Sequence, residues 1–107
     1  MAQKNNPQAE ALYRQAIQMY RLTLPANSLN EGITRIKLGR TLLRERRFAE
    51  AEKETSGGYQ IVSKQAAPSA SWLQSAREDL VADYTALGQP DRAKAFSQIS
   101  VALPPKP

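Results

Sequence analysis

At 107 residues and a formal net charge of +5, the chain is long enough for one domain with a modest core. It contains no cysteine and no histidine, which removes disulfides, thiolate chemistry, most zinc sites and the usual catalytic base. An enzyme is therefore not expected, nor is a metal or a cofactor. No apolar run approaches the roughly 18 residues of a membrane span, and no signal-peptide pattern opens the chain. A cytoplasmic location is the expectation, although a longer parent protein could be membrane-attached through another segment.

Residues 1–6 are polar and read as a disordered lead-in. Asn6 followed by Pro7 predicts an N-cap with proline at the first helical position, where its missing N–H costs nothing. The first helix is then expected over about 7–24, stopped by Pro25. Its apolar residues, among them Ala9, Leu12, Tyr13, Ala16, Ile17, Met19, Tyr20 and Leu22, wrap more of the circumference than one buried stripe needs. A second face should therefore be covered, either by an earlier helix or by a second copy of the chain.

Ser28 and Glu31 form a capping-box pattern that opens a second helix over about 28–45. Arg44, Arg46 and Arg47 sit across the turn that follows, where basic side chains favour the negative end of the helix dipole. The third helix, about 48–65, carries Phe48, Ala51, Gly58, Tyr59 and Val62 on one stripe. Gly57 and Gly58 in its middle each cost roughly 1 kcal/mol relative to alanine. A tight helix crossing would compensate, and a kink is the alternative. A phosphate cradle is disfavoured, because no strand precedes the glycines and no lysine follows at the required spacing.

Residues 66–71 read as a linker, with Ser69 or Ser71 as a cap for a fourth helix over about 70–87. Trp72 is expected to pack near its start, with ligand stacking as the other use of an aromatic there. Leu73, Ala76, Leu80, Tyr84 and Leu87 form an apolar stripe, and Gly88 reads as the residue just past the helix end. Pro90 opens a fifth helix, about 90–101, burying Ala93, Phe96 and Ile99. Residues 103–107 form a Pro-rich extended tail.

A period joins these pieces. Ala9, Ala51 and Ala93 fall at equal intervals of 42 residues, and the same shift sets Leu38 on Leu80, Arg35 on Arg77, Leu42 on Tyr84 and Phe48 on Pro90. Repetition at 20 to 50 residues marks an architecture in which each unit buries its apolar face on its neighbour. The order Leu38-Gly39, Leu42, Phe48, Ala51 resembles the tetratricopeptide repeat, in the 42-residue variety of kinesin light chains. The resemblance covers about residues 7–102 and departs from the family at Arg35, Arg77, Thr55, Ser97 and Val81. It implies an all-α fold: a right-handed α-solenoid of antiparallel helix pairs, with about five helices. The face made of Ile33, Ile36 and Leu43 is replaced by Ser75, Glu78 and Thr85 one unit later, as expected where a stack ends. The first helix, by contrast, looks cut from within a repeat.

The resemblance further implies protein–protein interaction, with a peptide or partner helix held on a concave side lined by the first helix of each pair. Transferred to this chain, the lining residues are Ile33, Ile36, Lys37, Arg40, Leu43 and Arg44 from the second helix, and Ser75, Glu78, Asp79 and Ala82 from the fourth. Lys37, Arg40 and Arg44 share a helical face by spacing, which suits an acidic partner. The carboxylate-clamp arrangement of this family is not expected, because Arg40 and Ala82 stand where it needs asparagine. A Lys37→Glu, Arg40→Glu double variant is expected to lose partner binding at nearly unchanged stability.

A narrower resemblance runs through Ala49 to Tyr59 and Ala76 to Ala93, which are similar to the last repeats trailing some bacterial serine/threonine kinases. It implies a non-catalytic recruiting segment of a signalling protein, since no kinase signature occurs in the chain. A basic helical nucleic-acid binder is the other alternative raised by the charge, disfavoured because most of the cations alternate with glutamates on the predicted helices. The acids Glu78, Asp79 and Asp83 are expected in solvent.

Overall fold

The computed structural model describes residues 6–65 and 68–102, with side chains as far as Ser97. The described residues form five helices: α1 (Asn6–Thr23), α2 (Leu29–Arg44), α3 (Phe48–Ser63), α4 (Ala70–Ala86) and α5 (Pro90–Ala102). There is no strand among the described residues. Residues 1–5 of the expected lead-in, Ala66 and Ala67 of the linker, the side chain of Ile99 and the tail at 103–107 lie outside the described residues.

Each helix packs on the next, and α2 also touches α4. That pattern places the apolar contacts in a row of small cores. Ile17, Leu38, Leu42 and Ala51 join α1, α2 and α3, with Tyr13 and Leu43 against them. Ile36, Val62 and Ala76 join α2, α3 and α4, with Ile33, Tyr59, Trp72 and Leu73 alongside. Leu80, Tyr84 and Ala93 join α4 to α5, under Tyr59, Val81 and Phe96. Each fully buried leucine is worth about 2 kcal/mol, and no single cluster holds the whole molecule. Stability of this kind is passed from neighbour to neighbour.

The 42-residue period survives at the backbone. After α2, Arg47 N–H donates to Leu42 O at 3.0 Å, and after α4, Gln89 N–H donates to Tyr84 O at 2.8 Å. Both turns place a left-handed residue at the same point, Arg46 with φ 64° and Gly88 with φ 74°. They are two copies of one glycine-type helix stop, in which the N–H two residues beyond the end satisfies an orphan carbonyl. Ala51 and Ala93 then follow as buried residues at the starts of α3 and α5. Ala9, their counterpart on α1, is half-buried.

The glycines of α3 serve a close crossing, and α3 runs unbroken through them. A Cβ at Gly58 would lie 2.6 Å from Gly32 O and 2.8 Å from Ile36 Cγ1, and one at Gly32 would lie 2.7 Å from Ile61 Cγ2. Backbone approaches backbone here, which only glycine permits on both sides. Gly58 is buried in this crossing, so it cannot form the wall of a phosphate cradle.

Several local expectations are corrected. Ser28 Oγ accepts from Glu31 N–H at 3.1 Å, but the Glu31 carboxylate does not return to Ser28. It accepts from Arg21 Nε at 3.0 Å instead, tying the end of α1 to the start of α2. Ser69, and not Ser71, caps α4, and Gln74 donates to Glu78. Asp79 and Asp83 are buried, with Asp83 fully enclosed. The reason is their place on α4: positions 80, 83, 84 and 87 share one stripe at helical spacing, so an acid at 83 goes wherever Leu80 and Tyr84 go.

Candidate functional site

The side of α2 that faces α4 carries a cavity of about 200 Å³. Lys37, Arg40, Thr41 and Arg44 of α2 line it, over Ile36, with Tyr13 of α1 and Trp72 of α4 as aromatic walls. Successive turns of α2 bring these side chains onto one face, because residues three and four apart are neighbours. Lys37 Nζ lies 5.6 Å from the centroid of the Trp72 ring, within range of a cation–π contact that steadies both groups. Trp72 also packs on the core formed by Ile36, Val62 and Ala76, so it is both a packing residue and a wall of the cavity.

The expected site residues divide into three groups. Lys37, Arg40 and Arg44 come together around the cavity. Ile36 is 1% exposed and forms the floor of the groove, whereas Ile33 is half-buried in the core beside it and does not line the groove. Asp79 is turned to Arg40, which donates from Nε at 3.1 Å and from Nη2 at 3.2 Å to its two oxygens. Glu78 stands exposed on the next position of α4, engaged with Gln74. The opposite charges of this face are thus not all free for a ligand, and Arg40 is largely committed to holding α2 against α4. The expectation that Arg40→Glu leaves stability unchanged is corrected by this pairing, because the variant would set a carboxylate against a buried carboxylate.

Lys37 and Arg44 are the cations left open. Among the described residues, no ion pair within 4.0 Å includes either of them. Most of the other arginines with described contacts are engaged: Arg14 with Glu10, Arg21 with Glu31, Arg35 with Glu54, and Arg47 with Glu10, Glu45 and Glu50. Arg47 reaches from the α2–α3 turn to Glu10 of α1 at 2.7 Å, a structural use of a residue that sequence reasoning left to the helix dipole.

Beneath the groove lies a second set of polar groups. Asp83 has both carboxylate oxygens buried without a hydrogen-bond partner, as are Thr55 Oγ1 and Arg77 Nε. Burial, with Asp79 and Glu52 nearby, pushes the Asp83 carboxyl up to about 7. Burial also raises Asp79, against the pull of Arg40. Tyr84 donates to Glu52 at 2.6 Å, and burial together with that carboxylate pushes its hydroxyl up to about 12. Of these groups, the Tyr84–Glu52 bond joins α4 to α3. Thr55, Arg77, Asp83 and Tyr84 are not among the residues lining the groove, and no cluster of three or more metal-ligating side chains occurs among the described residues.

A larger hollow of about 350 Å³ lies elsewhere, lined by Asn27, Arg35, Gly57, Gln60, Ile61 and Lys64. Its arginine is engaged by Glu54 at 3.2 Å, and the C-terminal end of α3 contributes carbonyl charge that disfavours an anion there. Sequence reasoning did not find Tyr13 as part of the groove. Nothing local places it beside Arg44, and only the stacking of α1 on α2 does so.

Residues 1–30 match the family model of the tetratricopeptide repeat. The chain is thus similar to a tetratricopeptide repeat over those residues, and the five helices without a strand among the described residues agree with a tetratricopeptide-like helical repeat. The match spans α1 and the approach to α2. No curated protein and no solved structure matches the chain. Tetratricopeptide repeats generally mediate protein–protein interaction and act as non-catalytic scaffolds. No described helix is long and apolar enough to cross a membrane.

Proposed function

We propose that this chain is a protein-interaction module that holds an acidic segment of a partner protein in the groove between α2 and α4. The observation that carries the reading is the pair of uncommitted cations, Lys37 and Arg44, set on one face of α2 between the aromatic rings of Tyr13 and Trp72. A carboxylate entering there meets positive charge without having to displace an existing ion pair. The rings offer apolar area to the side chain or backbone on either side of it. Arg40 and Asp79 hold the two lining helices at a fixed spacing, so the groove is formed before the ligand arrives and little ordering has to accompany binding.

A volume of about 200 Å³ admits one or two side chains rather than a folded surface, which favours an extended segment or one face of a helix as the occupant. A nucleic acid is the competing occupant suggested by the net charge. Against it stands the engagement of Arg14, Arg21, Arg35, Arg40 and Arg47 by carboxylates, which a phosphate backbone would have to displace to use these side chains.

The test is a titration of fluorescently labelled peptides of about ten residues, one acidic and one basic of matched length, against the wild type and a Lys37→Glu, Arg44→Glu variant. The acidic peptide should bind the wild type, with at least a tenfold loss in the variant, which circular dichroism should show to be still folded. Equal binding of both peptides, or a single-stranded oligonucleotide that binds more tightly with a steep salt dependence, would overturn the assignment.

A further inference from the structure

We propose that α1 is the seam of a symmetric, antiparallel dimer of this chain. The helix turns Ile17 and Tyr13 toward α2 and leaves its other side open. Leu12 is 63% exposed, Met19 56% and Leu22 85%. Ala11, Gln15 and Gln18 lie between and beside them, also exposed, and Arg14 at the edge of this face is paired with Glu10.

Leu12, Gln15, Met19 and Leu22 follow one another at steps of three, four and three, the spacing of a helix seam that meets another helix. Gln15, Gln18, Met19 and Leu22 surround a shallow hollow together with Arg14. Four residues at i, i+3, i+4 and i+7 make the kind of hole in which a side chain of a facing helix sits.

The same spacing reads alike from either end. Leu12 and Leu22 lie at equal distance on the two sides of position 17, as do Gln15 and Met19. A two-fold axis through that level sets Leu12 of each copy against Leu22 of the other, and Gln15 against Met19. An isologous contact requires this kind of self-complementarity, and antiparallel helices also oppose their dipoles favourably. The neighbouring arginines do not call for a foreign, acidic partner. Arg14 is held by Glu10 at 3.0 Å, and Arg21 by Glu31 at 3.0 Å. A neutral stripe of this symmetry is matched by its own copy better than by a charged helix.

Size limits the strength. With the axis at position 17, only residues 11–23 of the two helices overlap, a seam about 20 Å long, and one such helix pair buries less than the roughly 1,600 Å² of a standard interface. The dimer should therefore be concentration-dependent, with a Kd on the order of micromolar or weaker.

Sedimentation equilibrium of the whole chain from ~10 to ~500 μM tests the idea. The mass should rise from 11.9 kDa toward twice that value. Leu12→Glu alone and Leu22→Lys alone should each raise the Kd at least tenfold. The chain carrying both changes should dimerise again, because the register pairs the new glutamate with the new lysine of the other copy. Circular dichroism checks that the variants stay folded, which their surface positions favour. A wild type that remains 11.9 kDa throughout would overturn the proposal. So would association that ignores the single changes, as would a double variant that fails to recover.

Discussion

Arg40 of α2 and Asp79 of α4 form a two-pronged ion pair, 3.1 and 3.2 Å long, across the junction of successive helix pairs. Asp79 is 7% exposed, so its charge depends chiefly on this guanidinium, with a smaller contribution from Arg44. Arg40→Ala should cost about 2 kcal/mol, because a buried carboxylate left without its partner is more costly than the pair is favourable. Arg40→Lys should recover only part of this, since lysine cannot supply the fork. Chemical denaturation of the three proteins measures it. A loss below about 0.5 kcal/mol for the alanine variant would show the pair to be no more than a surface contact.

Asp83, one helical turn beyond Asp79, has no such partner. Its carboxyl is pushed from 3.8 up to about 7 by burial, and by Asp79 and Glu52. The sign follows from proton uptake. Between pH 4 and 7 the folded chain holds a proton that the unfolded chain has released, so stability falls as pH rises through this range and levels off above it. Hydrogen bonds from Arg47 hold Glu10 and Glu50 below their usual range, in both cases against some desolvation, which gives the opposite slope below about pH 4.5. Maximum stability is expected at about pH 4 to 4.5, where the two slopes cancel. Asp83→Asn should flatten the decline to pH 8 and leave the variant more stable there by on the order of 2 kcal/mol. Melting temperatures across pH 4–8 for both proteins decide this, and parallel curves would remove Asp83 from the account.

The two adjacent glycines of α3 should answer the same substitution in opposite ways. Gly58→Ala brings a methyl against the Gly32 carbonyl and the Ile36 backbone, neither of which can yield without parting α2 from α3. A loss of about 2 kcal/mol is expected, larger than the roughly 1 kcal/mol gained in helix propensity. Gly57→Ala meets only the far end of the Arg35 side chain, which can move, so this variant should be neutral or stabilised by up to about 1 kcal/mol. Thermal unfolding of the pair checks both signs.

Arg46 occupies the left-handed position that Gly88 fills one unit later. Its side chain is exposed and only the backbone is strained. Arg46→Gly should stabilise the chain by about 0.5 to 1 kcal/mol, measurable as a higher denaturation midpoint. A lower midpoint would mean that the arginine has a contact worth more than its strain.

The helices and their order were legible because the 42-residue interval repeats not only apolar residues but also the stop signal and the small residue after it. Leu38 and Leu80, and Leu42 and Tyr84, occupy matching places in the core. What remained hidden was pairing between distant residues. Spacing along α2 identified Lys37, Arg40 and Arg44 as one face but could not say that Arg40 was occupied, because its partner lies in α4. Arg47 likewise joins Glu10 across the α1–α3 boundary. Asp83 is hard to place from sequence for a different reason: acids are usually solvated, and here the stripe of Leu80, Tyr84 and Leu87 on which it sits outweighs that tendency.

The groove itself is tested most directly by amide chemical shifts of the labelled chain during titration with an acidic peptide. The account predicts perturbations confined to residues 36–44, Tyr13 and the Trp72 indole N–H, saturating together and absent in the Lys37→Glu, Arg44→Glu variant. Perturbations centred instead on Lys64 and Gln60, or spread along α5, would contradict it.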